Sequence, residues 1–180
     1  MKGIIFNIAE KFIATRFGEE KLEQILSACE LETIEPFVGP GTYPDNDLME
    51  IVHTAAEKVD LPVPEFMKQM GHFTFFKLAE RYPNFVAPYS NPKDFLMTVD
   101  NVIHVEVRKL YRDTQLPVFQ YSEPSENELV ITYYSKRKMY DLMEGLINGV
   151  AEHFDTRIEQ RHSRYEKDGH EFYDYHLIFS

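Results

Sequence analysis

The chain has little of what disulfides and metal clusters require. It contains one cysteine, Cys29, and no tryptophan in 180 residues. A single cysteine forms no disulfide within the chain and no thiolate cluster for zinc or iron–sulfur. A long apolar run is also missing, because no stretch approaches the roughly 18 apolar residues that a membrane helix needs. We therefore predict neither a thiolate metal site nor a membrane anchor.

Positive charge is scarce as well. Nineteen Lys and Arg stand against 30 Asp and Glu, which gives a formal net charge of −11 at pH 7. This balance disfavours bulk attraction to nucleic acid or to an anionic membrane. The start, MKGIIFNIAEKF, lacks the apolar stretch and cleavage site of a signal peptide. We expect a cytoplasmic protein that binds neither nucleic acid nor membrane.

What the chain does have is apolar and aromatic side chains, at 43% and 14% of its residues. This content suffices for a core and for lining a large flat cavity, and the length fits one domain over residues 1–180. Apolar residues at helical spacing fill the first two thirds of the chain. The predicted helices are residues 2–17, 19–30, 47–59, 64–82 and 91–112, with Asp47 and Glu50 resembling a capping box and Asn91-Pro92 a helix start.

The last third predicts a sheet. Strand patterns and one helical pattern follow each other, and Lys167-Asp168-Gly169 marks a hairpin. The segments are strands in PVFQYS and ELVITYYS, a helix over 138–154, and strands near 156–165 and 171–179. The sequence therefore predicts an α+β fold: a helical lobe of about residues 1–111, a seam at 112–116, and a lobe of about 117–180 with a four-stranded antiparallel sheet and a packed helix.

Tyr133, Ser135 and Arg137 follow one another at every second position. In a strand, alternate residues point to the same side, so two hydroxyls and a guanidinium are expected on one face. This set suits an acidic ligand with more than one carboxylate or phosphate, because Arg offers a planar fork of donors. An ordinary edge strand with an aromatic residue and a salt bridge gives the same alternation.

His104 stands alone in an apolar helical stretch. A hydrogen-bonded core histidine is the ordinary interpretation, and a metal ligand is the functional one. One His cannot hold zinc, but it can hold haem iron, because the porphyrin supplies four nitrogens. Haem propionates would then need donors such as the Tyr133 trio. Three further histidines, His162, His170 and His176, lie near the predicted C-terminal hairpin. A metal site there is conceivable, but we interpret these side chains first as solvent-facing.

Together these features resemble the haem–nitric oxide/oxygen binding (H-NOX) domain family, which includes the sensory haem domain of soluble guanylate cyclase and stand-alone bacterial sensors. The matching features are the MKGIIFN opening, His104 in NVIHVEVRKLY, Pro117 after that helix, and Tyr133-x-Ser135-x-Arg137. The resemblance covers essentially the whole chain. It implies one haem b between the two lobes, with His104 as the proximal iron ligand.

The resemblance also implies roles for the other site residues. The Tyr133, Ser135 and Arg137 side chains would hold the propionates, and Pro117 would press on the porphyrin and distort it. The further haem contacts are Ile5, Leu142 and Leu146.

The family's oxygen-binding members carry a distal Tyr five residues after the motif Arg, where this chain has Leu142. Tyr140 lies two residues too early, about 200° away on a helix. Without a donor to stabilise bound oxygen, we expect nitric oxide (NO) and CO binding with poor oxygen affinity. A different distal donor, with Thr74 as the candidate, is the alternative.

The function that the resemblance implies is NO sensing without catalysis. NO on the ferrous haem would break the iron–His104 bond and change the conformation. The output would pass to a histidine kinase or a cyclic-di-GMP enzyme, with the kinase favoured. Two alternatives stay open: a haem peroxidase, for which His72 is the nearby distal candidate, and a binding module for another amphipathic acid.

Overall fold

A computed structural model describes residues 1–111 and 114–180. The helical elements of the first part are α1 (Gly3–Phe17), α2 (Glu19–Ala28), α3 (Asp45–Lys58), α4 (Val63–Arg81), a 3₁₀ turn (Pro83–Phe85), α5 (Pro92–Met97), a π-helical turn (Val99–Ile103) and α6 (His104–Leu110). The later elements are β1 (Val118–Ser122), β2 (Glu128–Tyr134), α7 (Tyr140–His153), β3 (Ile158–Lys167) and β4 (His170–Phe179). The predicted α+β order is confirmed.

Helix α1 shows why these segments are helical. Its inward face, including Phe6 and Ile13, is fully buried, which stabilises the helix through the hydrophobic effect. The helix ends at Gly18, whose φ of 98° is readily adopted only without a side chain. Helix α2 begins at the next residue with Glu19 and Glu20 in its first turn, where the N-terminal dipole favours acidic groups.

Asp47 corrects one sequence-based prediction. Helix α3 already begins at Asp45, so Asp47 with Glu50 is not a capping box. The Asp47 carboxylate is instead buried, at 2% exposure. It accepts hydrogen bonds from the Glu32 amide at 2.8 Å, the Thr33 amide at 3.1 Å and the Thr33 hydroxyl at 2.5 Å. Asp47 therefore fastens residues 32–33 onto α3.

Replacing Asp47 with alanine should lower the free energy of unfolding by about 2 kcal/mol, because three donors lose a charged acceptor. Asn46→Ala is the matched control, since Asn46 lies next to Asp47 but is exposed. Urea unfolding of both variants measures the difference. Equal stability of the two variants would show that water replaces the carboxylate without cost.

The sheet has the strand order β1-β2-β4-β3, and all neighbouring strands are antiparallel. Asp168 and Gly169 join β3 to β4 with φ angles of 52° and 74°, the left-handed conformation that a two-residue hairpin turn requires. Helix α7 packs on this sheet through its first residue, because Tyr140 stacks on Tyr173 at 4.4 Å and its carbonyl accepts the Tyr175 hydroxyl at 2.8 Å.

The chain forms two compact units. The first contains Met1–Lys77 and Asp141–Leu146, and the second contains Leu78–Tyr140 and Ile147–Ser180. The predicted seam at 112–116 includes residues 112 and 113, which lie outside the described residues, so the lobe boundary stays a prediction. Within the described ranges, no helix has the length and apolar character needed to span a bilayer.

Two glycines bring the backbones of α4 and α7 together inside the first unit. A Cβ added at Gly145 would lie 2.0 Å from the Lys68 carbonyl oxygen, and one added at Gly71 would lie 2.2 Å from the Leu142 carbonyl oxygen. A salt bridge of 2.9 Å between Lys68 and Glu144 lies beside this crossing. Glycine is required at both positions because backbone atoms occupy the side-chain space.

Candidate functional site

The helix that carries His104 is not continuous, which corrects the prediction of one helix over 91–112. Its start is as predicted, because the Asn91 side chain caps the helix and accepts the Asp94 amide at 2.9 Å. A π-helical turn then separates α5 from α6. The carbonyl of Thr98 accepts both the Val102 amide at 2.8 Å and the Ile103 amide at 3.2 Å. The predicted end at residue 112 lies outside the described residues.

The π-helical turn determines the position of His104, which is the first residue of α6. Such turns insert an extra residue into a helix and are frequent at functional sites. The Thr98 hydroxyl donates to the Phe95 carbonyl at 2.7 Å. Side-chain bonds of this kind compete with the regular helical pattern. The interruption at Thr98 therefore precedes His104 by about one and a half turns.

The His104 imidazole is largely buried, with 12% of the side chain exposed. Its Nδ1 lies 3.4 Å from Oδ1 of Asp100, and its ring stacks on Phe119 at 5.3 Å with an interplanar angle of 28°. Burial lowers the pKa of His104, and the Asp100 carboxylate partly offsets this effect. A neutral imidazole is the form that binds a metal ion.

The C-terminal end of α6 is also fixed, by contacts between side chains. The hydroxyl of Tyr111, the residue after α6, lies 2.6 Å from the hydroxyl of Tyr82. The Arg81 guanidinium donates to the same Tyr82 oxygen at 3.2 Å. Tyr82 directly follows α4, so this phenol pair joins the ends of two helices.

The trio Tyr133, Ser135 and Arg137 lies close together, but not for the reason the sequence indicated. Strand β2 ends at Tyr134, so only Tyr133 lies in the strand, and the other two lie in the turn that follows. The turn is closed by the Lys138 amide donating to the Ser135 carbonyl at 3.2 Å, with a φ of 51° at Lys138. Alternation along a strand therefore does not explain the cluster.

Hydrogen bonds hold the trio instead. Burial raises the pKa of Tyr133, and bonds to the Ser135 side chain and the Met139 backbone partly offset this rise. The Arg137 amide donates to the Ser135 hydroxyl oxygen at 3.2 Å. The Arg137 guanidinium donates through Nη1 to the Gln115 carbonyl at 2.5 Å. The result is a turn lined by hydroxyl and guanidinium groups.

Phe119 joins the imidazole to this turn. Phe119 pairs with Tyr133 across β1 and β2, with the two rings 5.7 Å apart, and the Phe119 ring also stacks on His104 at 5.3 Å. Phe119 was not among the site residues predicted from the sequence. The strand pattern could have identified it, because Phe119 and Tyr121 alternate with Gln120 and Ser122 in β1 and therefore share one face of the strand.

Pro117 is half-buried and directly precedes β1, in the same unit as His104. The remaining predicted contacts belong to the first unit. They are Ile5 on α1 and Leu142 and Leu146 on α7, all half-buried. Their contact with a haem stays a prediction.

Thr74, the alternative distal donor, is buried at 2% exposure. Its hydroxyl donates to the Met70 carbonyl of its own helix at 2.7 Å. This bond occupies the one hydroxyl proton that Thr74 has.

The C-terminal histidines do not converge. His162, His170 and His176 are exposed, as expected. His170 Nδ1 lies 3.2 Å from the Tyr134 hydroxyl, and His176 Nε2 lies 3.2 Å from the Ser163 hydroxyl. Across residues 1–111 and 114–180, no group of three or more His, Cys, Asp or Glu side chains is placed to hold a metal ion.

The donor set in the second unit fits a haem. One largely buried neutral imidazole matches an iron that already has four porphyrin nitrogens. Two hydroxyls and a guanidinium match carboxylate groups, since hydrogen bonds to a charged partner are the strongest of this kind. The His104 imidazole and the Tyr133 ring both contact the same aromatic side chain, Phe119.

Comparison with known proteins gives the family. A sequence model of the haem-NO-binding family matches residues 2–162. The structure is similar to that of an H-NOX protein from K. algicida in the unliganded Fe(II) state, with 30% identity, a TM-score of 0.90, and coverage of 100% of this chain and 97% of that chain. It is equally similar to an H-NOX protein from S. oneidensis in the Fe(II)NO ligation state, with 28% identity, a TM-score of 0.91, and coverage of 100% and 99%.

A more distant relative is soluble guanylate cyclase gcy-35 of Caenorhabditis elegans, which is 22% identical over 186 residues. The alignment covers 99% of this chain but only 27% of that protein, so the chain spans about a quarter of its length. Because the family match covers nearly the whole chain and the fold agrees end to end, the chain belongs to the haem-NO-binding (H-NOX) domain family, a non-catalytic sensor family whose cofactor is haem.

Proposed function

We propose that this protein is a haem-based NO sensor in which His104 is the protein ligand of the iron. The largely buried imidazole next to the Phe119 ring is the observation that supports this assignment. When bound, ferrous haem b supplies the site at which NO and CO bind. The protein supplies the tether, the donors for the propionates and the surrounding apolar side chains.

Tyr133, Ser135 and Arg137 hold the propionates in this proposal. The Arg137 guanidinium carries five N–H donors, and its bond to the Gln115 carbonyl helps to fix its direction. Pro117 lies two residues after Gln115 and would press on the porphyrin. The turn and the residues before β1 therefore act on the same ligand.

Replacing Arg137 with glutamine should weaken haem retention about tenfold, because a charge-assisted bond to a carboxylate is lost. Arg161→Gln is the matched control, since Arg161 is exposed on β3 and pairs with Glu159 at 2.8 Å. The rate of haem loss to an excess of a haem-scavenging protein measures the effect. The same rate in both variants would remove Arg137 from the binding role.

His104 also transmits the signal. His104 would tether α6 to the iron, because it is the first residue of that helix, so loss of this bond on NO binding would allow α6 to move. NO drives the change only through its different affinity for the two conformations. The output passes to a partner, a histidine kinase or a cyclic-di-GMP enzyme, with the kinase preferred. His104→Gly kept loaded by excess haem should then give the partner the NO-bound signal without NO, as measured by the partner's activity. Unaltered activity with haem still bound would contradict this mechanism.

Oxygen discrimination is assigned to Leu142. A leucine offers no hydrogen-bond donor to bound oxygen, and the Thr74 hydroxyl is bonded within its own helix. Leu142→Tyr should therefore increase oxygen affinity at least about tenfold, as expected for one added hydrogen bond in a dry site. Leu142→Phe is the control for ring size. An oxygen titration followed by absorbance decides, and equal affinities for Tyr and Phe would contradict this role.

One absorption spectrum tests the whole proposal. Purified protein supplemented with haem should show a ferrous Soret band that shifts when NO is added. Protein that stays colourless after supplementation would contradict it and would favour a module for another amphipathic acid. Peroxide turnover at a rate well above that of free haem would favour the peroxidase alternative.

A further inference from the structure

Asp100 lies one helical turn before His104, and its carboxylate faces the imidazole. Oδ1 of Asp100 is 3.4 Å from Nδ1 of His104, which is a long hydrogen bond. A histidine that binds a metal through Nε2 has its Nδ1–H left to donate. A carboxylate in that position fixes the ring orientation and raises the basicity of the ligand.

We propose that Asp100 is a positioning residue that orients the His104 imidazole and strengthens its bond to the haem iron. This inference rests on the proposed function, because it requires His104 to be the iron ligand. Asp100 would act only through His104 and not on NO itself. It would set how readily the sensor responds, since the bond that NO must weaken is the one that Asp100 strengthens.

The local structure holds Asp100 in place for this role. Asp100 lies in the π-helical turn, and its amide donates to the Tyr121 hydroxyl oxygen at 3.4 Å. Tyr121 belongs to β1, as does Phe119, which stacks on His104. One strand thus supports both the imidazole ring and the residue that orients it.

Partial burial makes the carboxylate effective. The side chains of Asp100 and His104 are 22% and 12% exposed. Charges interact more strongly there than on an open surface, because less water screens them. Glu106, the acidic residue two positions after His104, bonds Lys109 at 2.6 Å instead. Glu106 therefore offers a matched control for loss of one negative charge.

The test uses the haem-loaded protein and the variants Asp100→Asn, Asp100→Glu and Glu106→Gln. Resonance Raman spectra of the ferrous protein should show the iron–histidine stretch at lower frequency in Asp100→Asn. Stopped-flow mixing with NO should show about tenfold faster displacement of His104, in line with the usual effect of losing such a partner. Asp100→Glu should restore part of both changes, and Glu106→Gln should match wild type.

The outcomes separate this inference from the proposed function. If His104→Gly abolishes the iron–histidine band while Asp100→Asn and Asp100→Glu leave it and the displacement rate at wild-type values, Asp100 has no positioning role. If the band survives in His104→Gly, the iron ligand is another residue and both proposals fail. If Asp100→Asn binds no haem, the Glu variant decides alone: wild-type behaviour supports the carboxylate, and an equal loss of haem assigns Asp100 to folding only.

Discussion

The His104→Gly variant should lose stable haem binding, with an affinity at least about a hundredfold below wild type, because the bond from protein to metal is gone. The remaining contacts would be those to the propionates and the porphyrin faces. Imidazole added to the solution should restore binding, since the small molecule fits the space that the side chain leaves. Haem titration followed at the Soret band, with and without imidazole, measures both effects.

His53→Gly is the control for this variant. His53 is an exposed residue of α3, so its replacement also places a glycine in a helix without touching the proposed site. The helix penalty of about 1 kcal/mol should be similar or larger there. Tight haem binding by His104→Gly without imidazole would assign the iron to another residue and would contradict the proposed function.

The Gly145→Ala variant should unfold more easily, by at least about 3 kcal/mol, because the new methyl group would overlap backbone atoms of α4. The added Cβ would lie 2.0 Å from the Lys68 carbonyl oxygen and 2.9 Å from the His72 amide nitrogen. Backbone atoms cannot move aside as a flexible side chain can, so a helix must shift. The midpoint of thermal unfolding should fall by roughly 10 °C.

Gly39→Ala is the matched control for overpacking. A Cβ at Gly39 would meet nothing closer than 3.9 Å, the distance to Oδ1 of Asn7. The same chemical change should therefore be neutral or slightly stabilising at Gly39, through a less flexible unfolded chain. Similar midpoints for the two variants would show that the α4–α7 crossing relaxes at little cost.

Periodicity carried most of the fold prediction. The strand alternation and the Asp168-Gly169 pair predicted the β3–β4 hairpin, because both positive φ angles follow from local chemistry. The helix start at Asn91 and the helix end at Gly18 were likewise predicted from neighbouring residues in the sequence. These features depend on near neighbours in the chain, which is why one sequence suffices to predict them.

The features that the sequence did not predict depend on distant partners or on small energy differences. The π-helical turn after Thr98 changes which carbonyl accepts each amide but leaves the apolar spacing nearly intact. Asp47 looked like a cap because its true partners, Glu32 and Thr33, come from another segment. For the candidate site, the spacing identified Tyr133, Ser135 and Arg137, yet a turn rather than a strand brings them together.

The phenol pair at Tyr82 and Tyr111 would limit the movement of α6 if a bond from His104 to the haem iron were broken. The helix is seven residues long, about 10 Å, and its distal end is fastened by the 2.6 Å hydroxyl contact. A helix fixed at one end cannot move along its axis, but it can rotate about the fixed end. Helix α6 would then rotate about the end fixed by the two tyrosines, so the largest displacement would occur at its other end, beside the π-helical turn.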